Sequence, residues 1–412
     1  MKLDADEARL WEALAELPVI DAHEHLVPEE DRVARKVDFF LLFSHYTRDD
    51  FRSAGMAAET YERLRDDQDM PVEAKWEAFR PYWPLIRHGS YARPALIWLR
   101  DVLGHDDLTE ENYREVSAAL QEANRPGLYR RVLTDLCGIE TALVVSSPYR
   151  RYDFDLLKCL WGVFEYTDPG RIREFLRGAS GKEAGELEAY LEWMEADFQE
   201  YIALGGVGIK SICFPFDRAL ISEAGRVFKA LRDAGDDHAL SPREQTILAC
   251  AVYDRAFQLA RKHDVPVAVH SGVWGDFRQS QPTHLIPMAA GYPDVAYDLF
   301  HLGMPYVREA VMIGKMFPNV SLNLCWLGVV SPELTVRMLD ECVDLVPINK
   351  IIAFGGDYRI PVEKVYGHLK MMREVVARVL AKRIRRGRMD FAEAIRIGRM
   401  WFYENPARIY HL

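Results

Sequence analysis

The feature of this sequence that most restricts its fold is a repeated alternation of short apolar, β-branched runs with longer helical stretches. This order is typical of βα units around a parallel sheet. Eight such units favour a closed (β/α)8 TIM barrel over an open sheet, and we predict this α/β fold for residues 1–412 as one domain. The eight predicted strands are Pro18–Ala22, Thr141–Ser146, Gly162–Tyr166, Val207–Cys213, Val265–His270, Ala296–His301, Val320–Cys325 and Lys350–Phe354.

The third predicted strand also fits the end of a helix that begins near Tyr152. The connection after the first strand is much longer than the ~30 residues that complete a βαβ unit. A structureless loop of that length is unusual in a compact domain. We therefore predict that residues 27–136 form a helical insertion that caps the C-terminal mouth of the barrel and lines the active site or a subunit contact.

Composition and charge exclude several classes of protein. Hydrophobic residues make up 49% of the chain and charged residues 28%, as in soluble globular proteins. The net charge of −11 argues against a nucleic-acid partner, and no apolar run approaches the ~20 residues that span a bilayer. The six cysteines form no CxxC pair and are expected to be buried thiols. We expect a cytoplasmic homo-oligomer that acts on a small molecule.

The segment PVIDAHEHL, residues 18–26, places Asp21, His23 and His25 at the end of the first predicted strand. Because side chains alternate along a strand, the two histidines point the same way. Two imidazoles in this arrangement suit Zn, Fe or Mn, with Asp21 as an acceptor behind them. A chance HxH is the alternative, but the apolar strand before it and the polar turn after it favour a metal site.

Histidines also end the fifth and sixth predicted strands, as His270 in HDVPVAVHSG and His301 in VAYDLFHLG. Asp357 follows the eighth strand after a Gly-Gly turn in IIAFGGDYR. A lone histidine after an apolar run is more often a core residue, but histidines on two consecutive strands favour a shared site. A carboxylate beside a metal can accept a proton from bound water or a substrate hydroxyl, which suits a general base.

Together, the strand-one HxH, the strand-five and strand-six histidines and the strand-eight aspartate resemble the amidohydrolase superfamily, and the resemblance runs from Val19 to the C-terminus. Within that superfamily the chain is similar to the amidohydrolase-2 branch, in particular to the amidohydrolase half of nodulin and glutamine-synthetase-like fusion proteins. The stretches that carry the similarity are GIKSICFPF, VPVAVHSGVWGD, MPYVREAVMIGKMFPNVSLNLCW and FGGDYRIPVEKVYGHL. The long insertion and the Asp357-x-Arg359 pattern also resemble uronate isomerases.

This resemblance implies one divalent metal ion, with zinc as the first choice and manganese or iron as alternatives. Binuclear members of the superfamily bridge two ions with a carboxylated lysine on strand four. Lys210 lies on that strand, but within GIKS, which is common in the mononuclear branch, so we expect a charge-pairing or substrate-facing lysine. The resemblance then implies metal ligands and catalytic groups at strand ends, namely His23, His25, Asp357 and His270 as ligands, and Asp357, His270 and His301 as catalytic residues.

The substrate side of the site is expected to hold arginines and aromatic rings. Arg278 and Arg359 follow His270 and Asp357 closely, and arginine pairs bidentately with carboxylates. Trp274 and Trp326 are candidates for an aromatic floor. We therefore predict a small carboxylate-bearing substrate such as a sugar acid, a lactone or an acylated amino acid. The alternative is that both arginines pair with structural Asp and Glu residues.

Three reactions fit these residues. Hydrolysis is the first choice: metal-activated water attacks an amide, lactone or ester while Asp357 takes the proton. Aldose–ketose isomerisation of a sugar acid, as in uronate isomerases, is the second, and non-oxidative decarboxylation is the third. A barrel without enzymatic activity would predict loss of the strand-end histidines and aspartate, which this sequence retains.

Overall fold

The computed structural model describes residues 3–145, 149–152, 154–178, 185–234, 239–273 and 275–412. These residues form two compact units, each assembled from separate parts of the chain. The first unit comprises Met1–Val144, Cys325–Glu341 and Ala353–Glu404, and the second comprises Val145–Leu324, Cys342–Ile352 and Asn405–Leu412.

In the first unit, strand β1 (Val19–Glu24) pairs in parallel with β2 (Ile139–Val144). All six residues of β1 are buried, including the polar Asp21, His23 and Glu24, and its first two residues, Val19 and Ile20, are apolar. The first two predicted strands therefore exist within a few residues of their expected bounds, although Ser146 lies outside the described residues.

In the second unit, strand β3 is followed by a six-stranded parallel sheet with the order β4-β5-β6-β7-β8-β9. The parallel order matches the predicted βα alternation. The strands are β3 (Leu157–Cys159), β4 (Trp161–Gly162), β5 (Ile209–Ile212), β6 (Val267–His270), β7 (Tyr297–Leu299), β8 (Val320–Asn323) and β9 (Ile351–Ile352).

The third predicted strand, Gly162–Tyr166, is wrong beyond its first residue. Val163–Thr167 forms a 3-10 turn, in which the Thr167 hydroxyl donates to the Phe164 carbonyl at 2.7 Å. The sixth predicted strand ends early for a similar reason, because the backbone turns at His301 (φ 59°). Side-chain hydrogen bonds and left-handed residues thus end segments whose composition alone favours strands.

Residues 27–136 are largely helical, as predicted, and an aromatic cluster packs their interior. The Phe39 ring lies 5.2 Å from Phe79 and 5.8 Å from Trp76, and Phe43 lies 4.8 Å from Trp83. The helices here are α2 (Glu29–Val33), α3 (Thr47–Ser53), α4 (Ala58–Asp66), α5 (Val72–Phe79), α6 (Trp83–Ile86), α7 (Arg93–Leu103) and α8 (Tyr113–Ala123), with a 3-10 helix at Phe39–Phe43 and a π-helix at Arg130–Leu136; α1 (Ala5–Ala15) precedes β1.

The remaining helices alternate with the strands or follow the last one. They are α9 (Pro169–Gly178), α10 (Leu187–Ala203), α11 (Ile221–Ala234), α12 (Pro242–His263), α13 (Leu285–Gly291), α14 (Val307–Met316), α15 (Leu327–Val330), α16 (Pro332–Leu345), α17 (Glu363–Arg385), α18 (Phe391–Arg399) and α19 (Asn405–Tyr410). All six cysteines are buried free thiols, as expected. Among the described residues, no helix combines the length and apolarity that crossing a bilayer requires.

A buried ion pair connects the insertion to the start of α17. Arg32, which is fully buried, lies 2.7 Å from the Glu363 carboxylate, and its Nε donates to the Ile360 carbonyl at 3.0 Å. The same guanidinium also donates to the Asn124 side chain. Arginine suits this position because its planar group satisfies several acceptors at once.

We expect Glu363→Ala to lower the free energy of unfolding by ~3–5 kcal/mol, because it leaves the Arg32 charge buried without its counter-ion. The matched control is Glu62→Ala, which breaks an exposed pair with Arg48 at 3.9 Å and should cost less than about 1 kcal/mol. Urea denaturation of both variants measures the difference, and equal losses would contradict a structural role for the buried pair.

Candidate functional site

Two imidazoles and one carboxylate of the first unit converge at the end of β1. The Nε2 atoms of His23 and His25 each lie 3.3 Å from Oδ1 of Asp357, and the two rings are 4.7 Å apart. The side chains of His23 and Asp357 are buried, whereas that of His25 is 35% exposed. The cluster is therefore open to solvent on the His25 side.

The backbone explains why these side chains meet. His23 lies on β1, and His25, two residues later, directly follows the strand, so the two side chains lie on the same side. The Asp357 amide donates to the His23 carbonyl at 2.8 Å. The His25 amide in turn donates to the Tyr358 carbonyl at 2.9 Å. Asp357 itself has φ 65°, a left-handed conformation that non-glycine residues seldom adopt.

This donor set fits a divalent metal ion. Imidazole nitrogens together with a carboxylate oxygen are ligands that suit zinc, manganese and iron. Donor atoms of His23 and Asp357 lie within 4.8 Å of one another, as ligands of one ion must. Such an ion, when bound, polarises a substrate oxygen as a Lewis acid.

Two buried carboxyl groups lie behind the cluster on the same strand. Burial raises the pKa of Asp21 to about 6 and raises the pKa of Glu24 well above its usual value. The Asp21 carboxylate accepts hydrogen bonds from the amides of His23 (3.2 Å) and Gly356 (3.0 Å). The sequence predicts that Asp21 orients the imidazoles. In the structure, both of these hydrogen bonds to Asp21 come from backbone amides.

Tyr46 is a site residue that the sequence did not indicate. Its hydroxyl is hydrogen-bonded to Asp357, and burial together with that carboxylate raises the pKa of Tyr46 well above its usual value. The phenol therefore stays protonated and acts as a donor. Tyr46 lies in the insertion, where no strand period or motif links it to Asp357.

Trp326 and Arg359, both predicted to bind substrate, have different surroundings. Trp326 is buried, and its ring lies 4.8 Å from the ring of Tyr46 and 5.6 Å from that of Tyr91. Trp326 therefore packs behind Tyr46. Arg359 is exposed and lies two residues from Asp357, as a substrate clamp would require.

In the second unit, the two predicted strand-end histidines contact each other. Nε2 of His301 lies 3.0 Å from Nδ1 of His270, while Nε2 of His270 lies 3.1 Å from the Val273 carbonyl. Because a carbonyl only accepts, the His270 Nε2 carries a proton, and in a neutral His270 ring Nδ1 then accepts from His301. Binding a metal would cost His270 one of these bonds, so the arrangement favours its orienting His301.

Lys210 lies near a buried acid in the second unit. Its side chain is buried, and its Nζ lies 5.0 Å from the centre of the Phe300 ring. Asp298 accepts hydrogen bonds from Asn323 (2.8 Å) and Tyr410 (2.7 Å). Burial raises the pKa of Asp298 to about 7, and the charge of Lys210 opposes this rise. This placement favours a charge-pairing lysine.

The structure does not give Arg278 a free guanidinium for a substrate. Its side chain is 76% exposed and forms two hydrogen bonds, of 2.6 and 2.8 Å, to the carboxylate of Asp276. This pair is the structural alternative considered above, and it forms because Asp276 is only two residues away. Trp274 lies outside the described residues.

Comparison with known proteins finds a similarity to amidohydrolases in the C-terminal part of the chain. Residues 216–412 match the family model described as amidohydrolase. Over 152 residues, 36% of the chain, the sequence is 27% identical to protein fluG of Emericella nidulans, and this match covers 17% of the length of fluG. Residues 216–412, just under half of the chain, are therefore similar to amidohydrolases.

Solved structures establish the fold of this chain. The uronate isomerase of Thermotoga maritima is 16% identical with a TM-score of 0.79, covering 99% of this chain and 98% of its own. The glucuronate isomerase of Caulobacter crescentus is 19% identical with a TM-score of 0.81, covering 99% and 94%. The predicted fold, an α/β TIM barrel with a helical insertion after the first strand, is confirmed.

We expect chelator-treated protein reloaded with zinc to hold close to one ion per chain, because His23, His25 and Asp357 together offer two imidazoles and one carboxylate to a single ion. His23→Ala should abolish binding, whereas His105→Ala, which removes an imidazole beside Glu115, should not. Elemental analysis after gel filtration measures the content. Two ions per chain, or full occupancy in His23→Ala, would contradict a mononuclear centre at His23.

The raised pKa of Asp298 predicts a pH dependence of stability. The folded state holds this proton up to about pH 7, whereas an unfolded aspartate loses it near pH ~4. Between these values the folded state binds more protons, so the free energy of unfolding falls as pH rises. Asp298→Asn should reduce that fall by on the order of 2–4 kcal/mol, measured by urea denaturation at about pH 4.5 and pH 8. The exposed Asp49→Asn is the control, and an unchanged slope in Asp298→Asn would contradict the shift.

Proposed function

We propose that the chain is a metal-dependent enzyme that isomerises a small sugar acid between its aldose and ketose forms. The observation that carries this proposal is the hydrogen bond between the Tyr46 hydroxyl and Asp357, beside His23 and His25. It places a proton donor and a proton acceptor next to each other at a site that fits a divalent metal.

Isomerisation needs both kinds of group. A proton leaves the carbon that bears the hydroxyl and one arrives at the neighbouring carbon, while a proton also moves between the two oxygens. The Asp357 carboxylate suits the transfer between carbons, because one base can take the proton and return it to the adjacent position. The protonated Tyr46 suits the oxygens, since a phenol can donate to the oxygen on which negative charge develops.

The substrate class follows from charge. Arg359 is exposed two residues beyond Asp357, and a guanidinium binds a carboxylate bidentately. Two enzymes that share this fold over nearly the whole chain are described as isomerases of uronate and glucuronate. A sugar acid has all the groups that this site could bind. Its carboxylate would pair with Arg359, and its hydroxyl and carbonyl would lie beside Asp357 and Tyr46.

Hydrolysis is the second candidate, because the matching family model is named for amidohydrolases. In that reaction Asp357 takes a proton from the attacking water and passes it to the leaving group. One carboxylate is sufficient for this, and Tyr46 then only orients Asp357. The two reactions therefore place different demands on Tyr46.

The test combines product mass with two substitutions. In D2O, isomerisation of a uronate should leave the carbon skeleton intact and place deuterium on carbon, whereas hydrolysis adds a water and decarboxylation removes carbon dioxide. We expect Asp357→Asn to lower turnover by ~10²–10⁴-fold, because the amide cannot carry a proton. Tyr46→Phe should also be strongly impaired, and Tyr403→Phe, which loses a surface bond to Glu140, should not.

Metal content is measured beside the rate in every variant. If Asp357→Asn keeps zinc but loses turnover, Asp357 is chiefly the proton carrier. If the variant loses both zinc and turnover, Asp357 is primarily a metal ligand. Near-normal turnover in Asp357→Asn would overturn the proposal. A product heavier by one water, formed as fast by Tyr46→Phe as by the unsubstituted enzyme, would replace isomerisation with hydrolysis.

A further inference from the structure

Three consecutive amides hold the turn that carries Asp357, and residues of β1 accept all three. The Gly356 amide donates to Oδ1 of Asp21 at 3.0 Å, and the Asp357 amide donates to the His23 carbonyl at 2.8 Å. The Tyr358 amide donates to Oε2 of Glu24 at 2.6 Å. Two of the three acceptors are thus side-chain carboxyls.

Both carboxyl groups are fully buried. A buried amide that loses its acceptor costs ~1–3 kcal/mol, so the amides of Gly356 and Tyr358 depend on Asp21 and Glu24. Oδ1 of Asp21 also accepts from the His23 amide at 3.2 Å. One carboxyl thus binds the backbone of a candidate metal ligand on β1 and the residue before Asp357.

Gly356 shows how closely Glu24 fits this turn. A Cβ atom at position 356 would lie 1.9 Å from Oε1 of Glu24 and 2.9 Å from its Cδ. A side chain there would displace the Glu24 carboxyl and break its bond to the Tyr358 amide. Since φ of Gly356 is not in the left-handed region, the need for glycine comes from the space that Glu24 occupies.

We propose that Asp21 and Glu24 are positioning residues that hold Asp357 in its left-handed conformation, with its carboxylate 3.3 Å from both imidazoles. A left-handed non-glycine residue costs ~1–2 kcal/mol. The hydrogen bonds donated by the three backbone amides offset that cost. This inference rests on the metal centre proposed above. The residue between the two histidines, Glu24, thereby sets the distance from those histidines to a third ligand that follows the last strand.

The experiment uses four variants of the full chain: Glu24→Ala, Glu24→Gln, Gly356→Ala and the double variant Glu24→Ala/Gly356→Ala. Zinc affinity is measured by competition with a chromophoric chelator, and the visible spectrum of cobalt-loaded protein reports the ligand geometry. Thermal unfolding of each variant shows whether it is folded. None of these measurements needs a substrate, so they are independent of the proposed reaction.

Glu24→Ala should weaken zinc binding by ~10–100-fold, the usual loss when a partner behind a ligand is removed, and should change the cobalt spectrum. Glu24→Gln should retain the zinc affinity and the cobalt spectrum of the unsubstituted protein, because its side-chain amide oxygen still accepts from the Tyr358 amide. Gly356→Ala should resemble Glu24→Ala, since its methyl group displaces the carboxyl. In the double variant the two losses should not add, because both act through the same bond.

Zinc affinity and a cobalt spectrum in Glu24→Ala equal to those of the unsubstituted protein would overturn the proposal. So would a Glu24→Gln protein as weak as Glu24→Ala, or fully additive losses in the double variant. If Glu24→Ala does not fold, Gly356→Ala and Glu24→Gln decide the matter by the same criteria. If the unsubstituted chain binds no zinc, the metal centre is itself wrong and this inference falls with it, whatever its activity.

Discussion

The interaction on which the candidate site depends is the pairing of β1 with the segment 354–358. The Ala22 amide donates to the Phe354 carbonyl at 3.1 Å, and the bonds at His23 and His25 continue the pairing to Tyr358. This pairing joins residues about 335 positions apart in the chain. Backbone hydrogen bonds fix the distance between strands, so the spacing of two imidazoles and a carboxylate is a property of the fold.

Most of this architecture could be predicted from the strand period and the turn residues, because buried parallel strands consist of apolar runs that are visible in the sequence. The prediction was wrong where side-chain hydrogen bonds favour a turn over a strand. In Gly162–Tyr166 the residues favour a strand, yet the hydroxyl of Tyr166 and the indole of Trp161 both donate to Asp197, and the chain turns between them. Such contacts depend on a helix, α10, that lies outside any local sequence window.

The candidate site could be predicted only in part, because sequence patterns indicate strand ends but not contacts between distant segments. His23, His25 and Asp357 could be proposed from the sequence because each lies near the end of a predicted strand. Tyr46 could not, since its position depends on how the insertion folds. Arg278 illustrates the alternative that its sequence left open. Its chemistry suits a substrate carboxylate, but Asp276 is two residues away and pairs with it, and a local pair costs little chain entropy to form.

Electrostatics gives a reason why a doubly charged cation suits this cluster. Asp21, Glu24 and Asp357 lie close enough that the charge of Asp357 contributes to raising the pKa of both other carboxyls, after burial itself. The same charge raises the pKa of Tyr46. A bound cation reverses the sign of this field and favours the ionised carboxylates. A metal ion at this cluster would therefore offset the repulsion between the charge of Asp357 and the two buried acids.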